Sequence, residues 1–230
     1  MDKRFLSILA GLVVIFGGIF VLSQHSSNKS SSGPASSNNS KTTNHIQGSG
    51  SNGVTLVEYG DYECPICEAY YLPFKQLSSQ LSKDAQFQFR NLPLVQIHPN
   101  AFAAARAAEA ADLQGKFWAM HDKLYENQTA WATATSPLEI FKSYAKDLGL
   151  DVTKFSSDYS SGTVNDRINA DLAAFGKTSQ QQATPTFFLD GKVLDNKDVS
   201  NPQTGAPDVN KFVTIINAEI AKKSGAKSGN

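Results

Sequence analysis

Hydrophobic and polar residues follow three successive patterns along the chain. Residues 5–22 form an apolar run without a charged side chain, residues 24–53 are polar and rich in serine and asparagine, and residues 54–230 have the mixed pattern of a globular protein. A helix over the apolar run would be roughly 27 Å long, close to the thickness of a bilayer core. We therefore expect residues 1–23 to be a membrane anchor or signal segment and residues 24–53 to be a flexible linker.

The charges beside the apolar run predict its orientation. Lys3 and Arg4 precede it, and basic residues at the end of a membrane segment stay on the cytoplasmic side. An uncleaved anchor through residues 5–22 would place the rest of the chain outside the cell membrane. A cleaved signal peptide, whose apolar region is normally about 7–15 residues, would instead give a secreted or periplasmic protein. The length of the run favours the anchor, and both readings export the chain.

The first part of the globular region has the pattern of a strand–helix–strand unit. Residues 54–59 are β-branched and aromatic, residues 64–81 have apolar positions at helical spacing, and residues 86–90 alternate between polar and apolar. Such a unit favours two parallel strands joined by a right-handed crossover.

The pattern changes at about residue 92 and stays helical to about residue 183. It includes an alanine-rich stretch after Pro99, and Ser136 to Glu139 reads as a capping box with Pro137 in the first helical position. Strand patterns then return at residues 186–189 and 192–194, around an Asp-Gly turn, and a last amphipathic helix follows Pro207 and Asp208. The prediction is one α/β domain over residues 54–225, with an inserted all-helical subdomain.

Composition argues against nucleic-acid binding and against a fold held together by disulfides. The chain has 21 basic and 21 acidic residues, so it offers no excess of positive charge for nucleic acid. Its two cysteines are too few for a disulfide scaffold, and both lie in the motif Cys64-Pro65-Ile66-Cys67.

The position of the two cysteines suits redox chemistry. They follow a predicted strand and open a predicted helix, where free N–H groups and the helix dipole stabilise a thiolate at Cys64. Cys67 is one turn further on and on the same face, from where it can attack a mixed disulfide formed at Cys64. Two other interpretations remain: a pair of structural thiols, and half of a zinc site completed by His98 and His121. We expect no metal, and we expect His98 to be a loop or helix-entry residue and His121 a packed or capping residue.

Three segments resemble the DsbA-like thiol–disulfide oxidoreductases, in their membrane-anchored, Gram-positive-like branch. They are the segment from Glu58 to Cys67, the segment 115–125 (GKFWAMHDKLY) and the segment 183–191 (ATPTFFLDG), and the resemblance extends over residues 54–222. It implies a thioredoxin-like fold with an inserted helical subdomain.

The resemblance also implies roles for individual residues. Cys64 would be the exposed nucleophile and Cys67 the buried resolving thiol. Pro185 would follow a cis peptide bond that brings the Thr184 backbone against the cysteines, and Glu58 would accept a proton from Cys67 through water. With Thr184 and Pro185, the exposed dipeptide Pro65 and Ile66 is expected to contact substrate.

Two segments depart from the family pattern. Ile66 stands where strongly oxidising members have a histidine, so we expect a pKa of Cys64 between roughly 3.5 and 7 and a potential between about −120 and −270 mV. The polar stretch 177–182 replaces a glycine-rich approach to the cis-proline.

The sequence thus predicts an extracytoplasmic thiol–disulfide oxidoreductase, with disulfide formation in exported cysteine-containing proteins as the first choice. It would need no cofactor beyond the Cys64–Cys67 disulfide, and the resemblance implies a membrane quinone-linked oxidase as the partner that restores it. The alternatives are a reductase or isomerase using the same site, and a substrate-binding holdase without turnover.

Overall fold

A computed structural model describes residues 41–227, whose centre is a five-stranded sheet in the order β1-β3-β2-β4-β5. The strands are β1 His45–Gln47, β2 Val54–Gly60, β3 Ala85–Asn91, β4 Thr186–Leu189 and β5 Lys192–Leu194. β2 and β3 are parallel, while β1, β4 and β5 are antiparallel to the strands they pair with. The parallel strand pair and the final hairpin are confirmed. In the hairpin turn, Asp190 and Gly191 have φ angles of 48° and 80°, the left-handed geometry that suits a two-residue turn.

Eight α-helices lie in the described part of the chain. Helix α1 is Pro65–Gln80, between β2 and β3. Six helices follow β3: α2 Ala101–Asp112, α3 Phe117–Glu126, α4 Gln128–Ala132, α5 Leu138–Asp147, α6 Val152–Tyr159 and α7 Gly162–Gly176. Helix α8, Val209–Lys227, comes last, after a short 3₁₀ turn at Asn196–Asp198. The predicted order of elements is confirmed, with β1 and α4 in addition.

Both faces of the sheet are covered by helices. On one face, Leu56, Phe87 and Phe187 pack against side chains of α1 and α8. On the other face, Tyr59 and Phe188 meet Phe175 of α7. The inserted helices have their own core, which also contains Cys64 and Cys67. The redox pair therefore lies where the sheet domain meets the helical subdomain.

Two local predictions about the insertion need correction. The helices run from residue 101 to residue 176, so the ends of the expected range 92–183 are loops. The capping box at Ser136 is wrong: Pro137 is the N-cap of α5 and no side chain caps the helix. The backbone of Pro137 already has helical angles, which leaves Ser136 outside the helix, and Glu139 pairs with Lys142 instead.

The structure also corrects the linker prediction, which covered residues 24–53. Residues 45–47 form an edge strand on β3, although their composition is polar. Residues 1–40, including the anchor or signal segment expected over 1–23, lie outside the described residues. Within residues 41–227, no helix is both long enough and apolar enough to cross a membrane.

Buried polar contacts attach β1 to the insertion. The backbone N–H and hydroxyl of Thr43 both donate to the carboxylate of Asp171, at 2.9 and 2.6 Å. His45 stacks on Phe117 with 3.4 Å between ring centroids, and its Nε2 lies 2.7 Å from Glu109 Oε1. Glu109 and Asp171 have no exposed surface, and Asn91 also donates to both carboxylates. A chain segment without Thr43 and His45 would therefore leave two buried carboxylates with fewer partners.

The carboxylates beside His45 change its titration. Burial opposes the charged imidazolium, but hydrogen bonds to Asp112 and Glu109 outweigh burial and raise the pKa of His45 to about 9. A raised histidine pKa adds stability that is fully present below pH 6.5 and is lost as the pH rises through about 9.

We predict that His45→Gln lowers the free energy of unfolding by on the order of 2 kcal/mol at pH 6, and that this difference from the wild type shrinks towards pH 10. Urea unfolding of both proteins at the two pH values measures it. An equal difference at both values would show that His45 acts by packing alone.

Candidate active site

The chain turns from β2 into α1 at the two cysteines. β2 ends at Gly60, where a β-carbon would come within 2.4 Å of the ring of Phe89, so only glycine fits. Cys64 is the N-cap of α1, with extended backbone angles and no side-chain cap, and Pro65 follows in the first turn. Proline suits this position because its missing N–H would have no partner within the helix. The Cys64 sulfur is therefore placed at the positive end of the helix.

The two thiols are free in this structure and differ in exposure. Cys67 is fully buried, as predicted, and its Sγ accepts a hydrogen bond of 3.5 Å from the N–H of Asp61. Cys64 was expected to be exposed, but it retains only 6% exposure. The loop before β4 covers it, with the Thr184 carbonyl oxygen 3.5 Å from Cys64 Sγ. An attacking thiol must therefore approach along a narrow opening.

The same contacts separate the acidities of the two thiols. Hydrogen bonds from the Cys67 thiol and from the N–H groups of Cys67 and Ile66 together outweigh burial, and lower the pKa of Cys64 to about 5. This value lies in the range expected from the sequence. Burial, together with the neighbouring Cys64, raises the pKa of Cys67 well above its usual range. At pH 7 the reduced pair is therefore a thiolate at Cys64 and a thiol at Cys67.

The loop opposite the cysteines has the predicted cis peptide bond, between Thr184 and Pro185. Both residues are buried, and the Pro185 carbonyl accepts a hydrogen bond of 3.1 Å from Asn196. Pro65 and Ile66 are exposed beside them, Ile66 with 56% of its surface. Of the four residues expected to contact substrate, Pro65 and Ile66 are thus exposed, whereas Thr184 and Pro185 are buried.

Glu58 lies on β2, behind the cysteines. It is 4% exposed, and burial followed by the charge of Cys64 raises its pKa to about 8. Its charge also raises the pKa of Cys67, so the two groups are electrostatically coupled. A carboxyl group with this pKa can hold or release a proton near neutral pH.

Sequence reasoning missed the residues that support the cysteine loop. The buried carboxylate of Asp61 accepts hydrogen bonds from the N–H groups of Glu63 and Leu94, and it pairs with His98 Nδ1 at 2.7 Å. Gln128 donates to the carbonyl oxygens of Tyr62 and Cys64. Asp61 lies within the segment from Glu58 to Cys67 that carries the resemblance. No local pattern marks Gln128, which is 64 residues from Cys64.

His98 and His121 are placed as the packing interpretation predicted. His98 lies just before α2, and His121 is buried among aromatic rings. Across residues 41–227, no three histidine, cysteine, aspartate or glutamate side chains are grouped as a metal would require.

Comparisons with known proteins agree with the fold. A family model described as thioredoxin matches residues 40–204. The oxidised BdbD of Bacillus subtilis has a TM-score of 0.62 at 24% identity, over 76% of this chain and 92% of that one. α-DsbA1 of Wolbachia pipientis has a TM-score of 0.64 at 19% identity, over 79% and 92% of the two chains. At these identities the two structures establish the fold.

Curated relatives match a part of their own length. The Na(+)/H(+) antiporter NhaA 1 of Mycolicibacterium gilvum is 36% identical over 152 residues, which are 64% of this chain and 23% of that protein. NhaA of Herminiimonas arsenicoxydans is 39% identical over 150 residues, with 65% and 23% covered. This chain thus spans about a quarter of the length of these relatives, whose names describe the whole proteins.

Fold and thiol pair together define the class, that of thioredoxin-fold proteins with two cysteines at the start of a helix. The chain belongs to the thioredoxin family, and its helices are inserted between β3 and β4 in a fold that it shares with the BdbD and α-DsbA1 structures.

We predict that the 240 nm absorbance of the reduced protein titrates with a midpoint near pH 5, because the Cys64 thiolate is the absorbing form. Cys64→Ser is the control and should abolish the transition. A wild-type midpoint between pH 8 and 9 would contradict the described geometry.

Proposed function

We propose that this protein is an extracytoplasmic oxidase that introduces disulfides into exported proteins containing cysteines. The observation that carries the proposal is the contrast between the two thiols, with the pKa of Cys64 about 5 and that of Cys67 well above its usual range. A stabilised thiolate favours the reduced form of the pair, and a pair that prefers to be reduced oxidises its partners.

The reaction proceeds in two exchanges. A client thiolate attacks Cys64 Sγ of the Cys64–Cys67 disulfide, the bond between the two sulfurs breaks, and Cys67 leaves with the electron pair. The leaving sulfur takes a proton from the carboxyl group of Glu58. A second client thiolate then attacks the client sulfur of the mixed disulfide, forming the client disulfide and releasing Cys64 as a thiolate. Two electrons have moved from the client to the cysteine pair.

The described geometry supports a role for each neighbouring residue. A thiolate of low pKa is a good leaving group, so Cys64 favours release of the oxidised client. The backbone of Thr184 and Pro185 lies against Cys64 and would pair with an extended client segment. Pro65 and Ile66 provide exposed apolar surface for the same segment.

Location and regeneration are parts of the same proposal. The apolar run over residues 5–22 would hold the domain at the outer face of the cell membrane, or would be cleaved to leave a secreted or periplasmic form. A membrane quinone-linked oxidase would take the two electrons and restore the Cys64–Cys67 disulfide.

We predict that the equilibrium reduction potential of the full chain, measured in glutathione redox buffers, is above roughly −180 mV. The reduced protein should correspondingly unfold at a higher urea concentration than the oxidised protein. A potential near −270 mV would contradict the oxidase role and would indicate a reductase that receives electrons from a donor.

We also predict that Cys64→Ala abolishes oxidation of a reduced model protein. Reduced Cys67→Ala, mixed with a client that contains a disulfide, should accumulate a mixed disulfide: the Cys64 thiolate attacks the client disulfide and expels one client thiolate, and no Cys67 thiol is left to displace the client from Cys64. Non-reducing electrophoresis with the disulfide-containing client detects the trapped species. Full protection of clients by Cys64→Ala, without turnover, would identify a holdase instead.

A further inference from the structure

A small cavity connects the buried carboxyl group of Glu58 to the protein surface. Its volume is about 30 Å³, enough for one or two water molecules, since about 10–15 Å³ holds one. Glu58 lines its inner side, while Lys75 and Asp122, which are 50% and 30% exposed, line its outer side. These two residues form an ion pair of 2.7 Å between α1 and α3. The cavity is thus bounded by a buried acid at one end and by partly exposed charges at the other.

His121 of α3 lines the same cavity and has an unpaired nitrogen. Its ring is enclosed by aromatic side chains, namely Tyr62, Tyr71, Phe89, Phe117, Trp118 and Tyr125. Nδ1 lies 3.4 Å from Asp122 Oδ1, whereas the buried Nε2 has no hydrogen-bond partner within residues 41–227. A buried polar atom without a partner is costly, and a packing role alone would be served better by phenylalanine. Because His121 lines the same cavity as Glu58, this unpaired nitrogen calls for a function.

The proposed oxidation requires Glu58 to exchange a proton with solvent in every cycle. When the carboxyl group protonates Cys67, it becomes a carboxylate in a site that disfavours its charge. The titratable groups that interact electrostatically with Glu58 are either buried or take part in the reaction themselves. They are Cys64, Cys67, Tyr62, Tyr70 and Tyr125. None of the three tyrosines releases a proton readily near pH 7, since burial raises each tyrosine pKa. The proton must come from elsewhere, and the cavity leads to the surface.

We propose that His121 relays protons between the Asp122–Lys75 pair at the surface and Glu58 in the interior. When Cys67 leaves the disulfide, Glu58 gives it a proton. His121 Nδ1 then takes a proton from solvent at Asp122 as Nε2 donates its own proton across the cavity to the carboxylate of Glu58, so the ring stays neutral. During reoxidation the proton moves in the opposite direction. This inference rests on the proposed function, and it makes His121 a positioning residue that acts through Glu58 and touches neither sulfur.

The charges around His121 keep it suited to this role. Burial is the main influence and lowers its pKa, while Asp122 opposes this and His45 and Lys75 reinforce it. The ring is therefore neutral near pH 7, with one nitrogen able to donate and the other able to accept. A neutral imidazole can pass a proton through in either direction without holding a charge in the aromatic cage.

Stopped-flow reduction of the full-length disulfide form by saturating dithiothreitol, between pH 5 and 9, tests the relay through intrinsic tryptophan fluorescence. We expect His121→Ala to slow the reduction about a hundredfold at pH 7, a loss at the low end of general acid–base effects. Added imidazole should restore the rate. Pyrazole, a ring of similar size whose two nitrogens are adjacent and cannot face Glu58 and Asp122 at the same time, should not. Equal rescue by both, or a wild-type rate without either, would overturn the relay.

Two further variants separate the relay from packing and from the proposed function itself. Phe155→Leu, in the core of the insertion and away from the cavity, is the matched control for lost stability and should keep the wild-type rate and pH profile. In a Glu58→Gln background, His121→Ala should cause no further slowing, because nothing is left to relay to. Additive losses would contradict the relay. A wild-type protein that exchanges no disulfide would overturn the proposed function rather than the relay.

Discussion

The structure depends on how one thiolate is stabilised at the start of α1. Helix N–H groups and the Cys67 thiol point their positive ends at Cys64 Sγ, in a place with little water. Because these dipoles are fixed by the fold, the charge costs little reorganisation when it forms. The same burial works against charge on Cys67 and Glu58, which remain protonated near neutrality. One desolvated region therefore holds three ionisable groups with separate tasks.

The supporting structure around this region is mostly polar. Asp61 fixes the loop before Cys64 and the loop before α2, and Gln128 ties the cysteine loop to the insertion. On the far side, the Glu109 and Asp171 carboxylates bind the segment around β1. Buried groups of this kind contribute little net stability, but each leaves a large penalty when its partner is removed. They fix the geometry of the site more than they strengthen the fold.

The inserted helices contribute more than a cover for the cysteines. Tyr125 and Gln128 reach the cysteine loop from α3 and α4, and His121 and Asp122 line the cavity that reaches Glu58. A thioredoxin-like sheet with α1 and α8 alone would leave Glu58 without this surrounding. The helical subdomain therefore sets the environment of the buried acid, and its contacts link that acid to the surface.

Local pattern in the sequence determined the strands of residues 54–60 and 85–91, the hairpin at Asp190, and the place of the two cysteines at a helix start, because each follows from periodicity or turn chemistry within a few residues. The resemblance supplied the cis bond before Pro185. Tertiary structure alone decided that residues 45–47 become a strand, that Cys64 is nearly covered, and that His121 and Glu58 line the same cavity. These features depend on partners many residues away, such as Glu109 for His45, so no local pattern reveals them.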